Sequence, residues 1–221
     1  MFKRFKFFTI FYLIIVVLNI VVLYYIKDYR MVVKPMIMGS LIGFYTGNVV
    51  KQSPVFLLGM VFALIGDIFL LFDNELFFII GLGGFLLMQV FYTAEFFKDR
   101  ADSIKQAVLP IVIVYIVGLI FLILMWPGLG DLKWPVMMYA IAITTMVSSA
   151  FLRNKDVIWY NAVIWGVLLF LLSDAWLGMA KFGVVNSSLD SVIVMLSYMA
   201  AQYLIVRGIT EREVPVPMEV K

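Results

Sequence analysis

A chain of 221 residues that is 64% hydrophobic and 14% charged, with mean hydropathy +1.06, is too apolar for a soluble domain, which is nearer half apolar and a quarter charged. It contains no cysteine and no histidine, which excludes thiolate nucleophiles, disulfides, Ser-His-Asp triads and the usual zinc sites, so neither a metal nor another cofactor is expected. The net charge of +3 is dispersed over loop ends and forms no basic stripe, so nucleic acid is not expected as a partner.

A membrane span needs about 20 predominantly apolar residues, and somewhat fewer where the bilayer is thin. Eight stretches qualify: 7–25, 35–50, 54–72, 76–95, 106–126, 135–152, 157–179 and 189–208. The expected fold is therefore all-α, a polytopic membrane protein built as an eight-helix transmembrane bundle, with residues 1–221 forming one integral membrane domain. The first stretch is too long for a signal peptide and lacks its small-residue cleavage site, so it is read as a mature helix. Lys34-Pro35 opens the second stretch, and the third carries Asp67 in an otherwise hydrocarbon-like run. The fourth holds Phe85, Gln89 and Tyr92; Trp134-Pro135 opens the sixth, which holds Tyr139. The seventh carries Ser173-Asp174, and the eighth carries Tyr198 and Gln202. The connections are too short for an extramembrane domain, so an active site has to lie among the helices.

Lysine and arginine counts orient the bundle. With the N-terminus inside, twelve fall on the inner side, from Lys3, Arg4 and Lys6 to Lys221, and five on the outer side: Lys27, Arg30, Lys34, Lys133 and Lys181. That asymmetry places both termini in the cytoplasm, of a plasma or bacterial inner membrane. The third and seventh stretches then run the same way. Asp67 and Asp174 each fall about 8 Å below the outer end at 1.5 Å rise per residue.

The matching frames extend beyond the two aspartates. Gly59 and Gly166 each lie eight residues before an Asp, and a small residue, Gly66 or Ser173, immediately precedes it. Phe85 and Gln89 have the spacing of Tyr198 and Gln202. Stretches two to four thus echo six to eight in order, which would be a parallel 4+4 duplication about an axis along the membrane normal.

Several residues admit two readings. Asp67 and Asp174 either bond neighbouring helices as polar glue or form a carboxylate pair in which one acts as an acid and the other ionises. An intramembrane carboxylate costs several kcal/mol without a cavity or partner, and two of them favour the second reading. Lys34 either snorkels to lipid phosphate or binds a substrate phosphate. Gln89 and Gln202 either tie helices together or line a pocket. Tyr92, Tyr139 and Tyr198 either line that cavity or fill the core.

Taken together these residues resemble the YhhN-like lysoplasmalogenase family of polytopic membrane proteins. The similarity runs through Lys34-Pro35, Leu64-Ile65-Gly66-Asp67, the segment from Gly81 to Tyr92, the segment from Leu169 to Gly178 and the segment from Tyr198 to Arg207. The chain departs from the family pattern at Gln89, where relatives often carry His, and at Gln202, where some do. The resemblance implies cleavage of the vinyl ether bond of a lysoplasmalogen, a lysophospholipid drawn from the membrane, to a fatty aldehyde and a glycerophospho-alcohol. It maps the Gly-Asp and Ser-Asp motifs onto Gly66-Asp67 and Ser173-Asp174. Protonation of the vinyl β-carbon gives an oxocarbenium ion that water captures, which requires a protonated carboxyl and an anion near the cation. Asp67 and Asp174 are the expected catalytic pair, with Lys34, Gln89, Tyr92, Tyr139, Ser173, Tyr198 and Gln202 expected around the substrate. Two other functions use the same features: a small proton-coupled transporter and a lipid-binding protein without turnover.

Overall fold

The computed structural model describes residues 5–213. Lys3, Arg4 and Lys221, which enter the orientation count, lie outside the described residues. The regular structure of the described residues is all helical, with no strand beyond an isolated bridge between Arg100 and Arg153. The helices are α1 (Lys6–Tyr25), a single turn α2 (Arg30–Val33), α3 (Pro35–Asn48), α4 (Pro54–Phe69), α5 (Glu75–Phe97), α6 (Val108–Met125), α7 (Lys133–Phe151), α8 (Tyr160–Lys181) and α9 (Asp190–Glu213). Six of them, α1 and α5 to α9, are long and apolar enough to cross a membrane. With 14 and 16 residues, α3 and α4 rise only about 21 and 24 Å, short of the ~30 Å hydrocarbon core.

Local chemistry sets the boundaries. Pro54 takes the first position of α4, and the Ser53 hydroxyl accepts the backbone N–H of Phe56 at 3.3 Å. Asn74 caps α5 by accepting the Leu76 N–H at 2.8 Å, and Glu75 complements the positive end of the helix. α9 runs five residues beyond the expected stop at 208, because Arg207 and Glu211 pair one turn apart and Arg212 finds acidic partners inside the protein. α4 stops three residues before the expected 72, and α8 runs two beyond 179. The two aspartates are therefore not equally far from their helix ends.

The tightest helix pairs are α4 with α5 and α8 with α9. A Cβ added at Gly59 would stand 2.7 Å from the Tyr92 ring, and one at Gly166 would stand 2.7 Å from Ile205 Cγ1. Lipid tails are as apolar as a protein core, so close backbone approach and van der Waals contact hold such pairs together. Their interface merges with a core that includes Met38, Leu41, Met60, Met88, Phe170 and Met199. α6 stands at the edge of the bundle: 11% of its apolar window is buried, against 61% for α9.

Candidate active site

Asp67 lies in the last turn of α4 with 1% of its surface exposed. Tyr198 Oη, from α9, donates to its Oδ2 at 2.6 Å, and Lys34 Nζ lies 3.6 Å from Oδ1. Lys34 sits where α2 runs into α3, and Asn19 on α1 pins that junction by donating to the carbonyls of Ile15 at 3.0 Å and Val33 at 3.2 Å. The ammonium is thereby turned inward. Lys34 is buried and ion-paired, so it does not snorkel as an interfacial anchor.

Asp174, half-buried on α8, accepts a hydrogen bond from Tyr139 Oη on α7. Among the described residues, the ion pairs include Asp67 with Lys34 but none made by Asp174. The preceding residue, Ser173, donates to the Val194 carbonyl at 3.0 Å and ties α8 to α9.

Both carboxylates line one cavity of about 440 Å³, together with Lys34, Ser173 and Tyr198. Arg30, Asp73, Lys181 and Asp190 also stand on its wall. Asp190 is occupied, accepting from Trp176 Nε1 at 2.9 Å and from the Ser187 N–H at 2.7 Å. Asp174 also borders a second, narrow space of about 70 Å³ whose walls are almost entirely apolar and include Tyr139. Asp174 thus lies where a charged cavity meets an apolar one. Among the described residues no cluster of acidic side chains could hold a metal ion.

Three residues expected at the substrate are elsewhere. Tyr92 donates to Gln202 Oε1 at 3.2 Å, and Gln202 Nε2 contacts Met88 Sδ at 3.3 Å. Tyr92 and Gln202 are completely buried between α5 and α9 and are absent from both cavity walls, so they bond helices together. Gln89 is also completely buried. Its amide lies against the Tyr139 hydroxyl but completes no hydrogen bond of good geometry among the described residues.

Sequence reasoning passed over Arg30 and Lys181, which it treated as outer loop charges, and Asp73, which it treated as a loop marker. Their spacing carried a signal. Lys181 lies two helical turns beyond Asp174 and Arg30 one turn before Lys34, so each shares a face with a residue of the site.

The YhhN family model matches residues 29–209 of the chain. Two curated relatives, from Mycobacterium bovis and Mycobacterium tuberculosis, are each named Lysoplasmalogenase and are 34% identical over 143 residues. The match covers 62% of this chain and 53% of each relative, so the chain spans about half the length of the curated relatives it matches. No solved structure gives a significant match.

Proposed function

Because the chain belongs to the YhhN family, we propose that this integral membrane protein hydrolyses the vinyl ether bond of lysoplasmalogens, in keeping with the name its mycobacterial relatives carry. One observation carries the reading. Two carboxylates from separate helices line a single cavity, and only one of them is ion-paired.

That difference supports a division of roles. Asp67 has an ammonium and a phenol as partners, which suits a permanent anion. It stabilises the oxocarbenium ion from a fixed position, without reorganising as charge develops. Asp174 has a phenol alone, which can bond either protonation state. It is the general acid, and it stands at the apolar boundary where a vinyl carbon attached to an alkyl chain would lie. The acid gives its proton to the β-carbon, water adds to the cation, and the proton that water releases restores the carboxyl pair. The resulting hemiacetal collapses to aldehyde and alcohol, so the cycle consumes one water and no net proton.

Ser173, Tyr139 and Tyr198 frame the reacting atoms. Lys34, with Arg30 and Lys181, supplies positive charge for the substrate phosphate. Tyr92 and Gln202 act from behind the cavity by bonding α5 to α9, and Gln89 packs behind Tyr139.

The same reading includes eight membrane crossings in one domain, both termini in the cytoplasm, the cavity opening outward and a parallel 4+4 repeat. Gly59 against Tyr92 and Gly166 against Ile205 support the repeat, because both pairs fall at matching frame positions. Each Asp is also partnered from the helix that precedes its own: Lys34 at the start of α3, Tyr139 on α7.

The test is aldehyde release from a lysoplasmalogen by the purified protein in lipid nanodiscs. Proton-coupled uptake of a solute without aldehyde would replace the hydrolase by a transporter using the same aspartates. Lipid binding without turnover would leave a binding protein.

A further inference from the structure

α5 and α6 are consecutive in the chain, yet each packs on α7 rather than closely on the other. Between them lies the narrow apolar space that ends at Asp174. Leu82 of α5 and Phe121 of α6 form its sides, and Ala140 and Ile143 of α7 form its floor. α6 is held against α7 at Gly118, where an added Cβ would stand 2.5 Å from Thr144 Cγ2, and against α8 at Gly178, where one would stand 2.6 Å from Met125 Sδ. Those contacts anchor one face of α6. Its other faces carry exposed apolar residues, among them Ile116, Leu119, Ile120 and Ile123, which suit contact with lipid tails.

The lining spans little more than two helical turns, from Phe78 to Phe85 on α5 and from Leu171 to Gly178 on α8. This is too short to enclose a long alkyl chain along its length. It has the proportions of a window in the side of the bundle, level with Asp174. The charged cavity, with Arg30, Lys34 and Lys181, meets the same carboxylate from the other side.

We propose that the gap between α5 and α6 is a lateral portal that admits one unbranched alkyl chain from the bilayer, so that an amphiphile reaches Asp174 sideways with its head group in the charged cavity and its tail still in lipid. This rests on the hydrolase reading for the identity of the amphiphile. A single chain is the occupant because the space is small and apolar, is flanked by the half-buried Leu82 and Phe121 beside the exposed apolar faces of α6, and is continuous at Asp174 with a cavity suited to a phosphate. The head group is never drawn through hydrocarbon, and the distal chain carbons are never taken out of it. Activity should therefore depend little on chain length once the chain outreaches the window.

The absence of cysteine makes a direct test clean. In a Leu82→Cys, Phe121→Cys variant, a short reducible bifunctional thiol reagent would close the window. The ratio of turnover on a long-chain lysoplasmalogen in vesicles to turnover on a short-chain, water-soluble analogue should fall about tenfold on closure and recover on reduction. An unchanged ratio would overturn the portal. A second measurement does not need turnover. A saturated-ether lysophospholipid with a diazirine in its alkyl chain should photolabel the walls around Leu82 and Phe121, and closure should remove that labelling. Labelling spread evenly over the lipid-facing surface and indifferent to closure would mean boundary lipid only, and no portal. Absent turnover on both substrates with closure-sensitive labelling would reject the hydrolase and keep the portal.

Discussion

Carboxylates are buried at both ends of this bundle, but they are treated in opposite ways. At the cavity end Asp67 has one cation and one hydroxyl, and Asp174 has a single hydroxyl. At the other end Glu95, with no exposed surface, accepts from Ser53 Oγ at 2.5 Å, Lys98 Nζ at 2.6 Å and Arg212 Nη2 at 2.5 Å. Arg212 also reaches Asp99, which Arg153 holds as well. Arg207 pairs with Glu211 while its guanidinium lies 4.7 Å from the Phe5 ring and 5.2 Å from the Trp159 ring. Neither Glu95 nor Arg212 stands on the wall of the two cavities that meet at Asp174. A densely ion-paired cluster staples loops and the end of α9. Sparse partners around an open volume leave charge available for a substrate.

The sharpest way to test that contrast is to neutralise each end. Asp174→Asn keeps size and most hydrogen bonding but cannot give up a proton in catalysis, so aldehyde release should fall by roughly 10²–10⁴-fold. Asp67→Asn should fall by a similar factor through loss of the stabilising anion, of order 10²–10³-fold. Asp174→Asn should keep the melting temperature of the parent, whereas Asp67→Asn should lower it by leaving the buried Lys34 ammonium without its counter-ion. Turnover is therefore compared per folded molecule. The double variant should be little slower than the poorer single one, because the pair acts as a unit. Near-normal turnover in either single variant would end the assigned roles.

Arg212→Met should do the reverse. Removing one member of a buried ionic cluster costs about 3 kcal/mol, so thermal stability should drop while turnover per folded molecule stays close to that of the parent. A collapse in turnover without a loss of stability would mean the two ends are coupled, and the contrast would fail.

Lys34→Met sharpens the account of the cavity itself. The ammonium serves both Asp67 and the proposed phosphate, so kcat/KM should fall about tenfold, with most of the change in KM if the phosphate contact dominates. A change confined to kcat would make Asp67 its only partner. The smallest effect is expected for Gln89→Leu. The amide already lacks a well-formed hydrogen bond, so an apolar replacement of similar size should alter stability by about 1 kcal/mol or less and turnover by a few-fold at most. A larger loss of activity at constant stability would move Gln89 into the site.

Much of the helix order was legible in the chain, because a bilayer imposes a length on every apolar run and Pro35, Pro54 and Asn74 mark helix starts. Asp67 and Asp174 were legible for the same reason, since a carboxylate in hydrocarbon is costly enough to stand out in a list of residues. The partners were not. That Tyr198 reaches Asp67 across 131 positions, that Lys34 turns inward and that Tyr92 and Gln202 close on each other are outcomes of helix rotation and packing. In a soluble helix an apolar stripe announces which face is buried. Here lipid and core are equally apolar, so no such stripe exists, and only contacts such as Gly59 on Tyr92 and Gly166 on Ile205 set which side of each helix looks into the cavity.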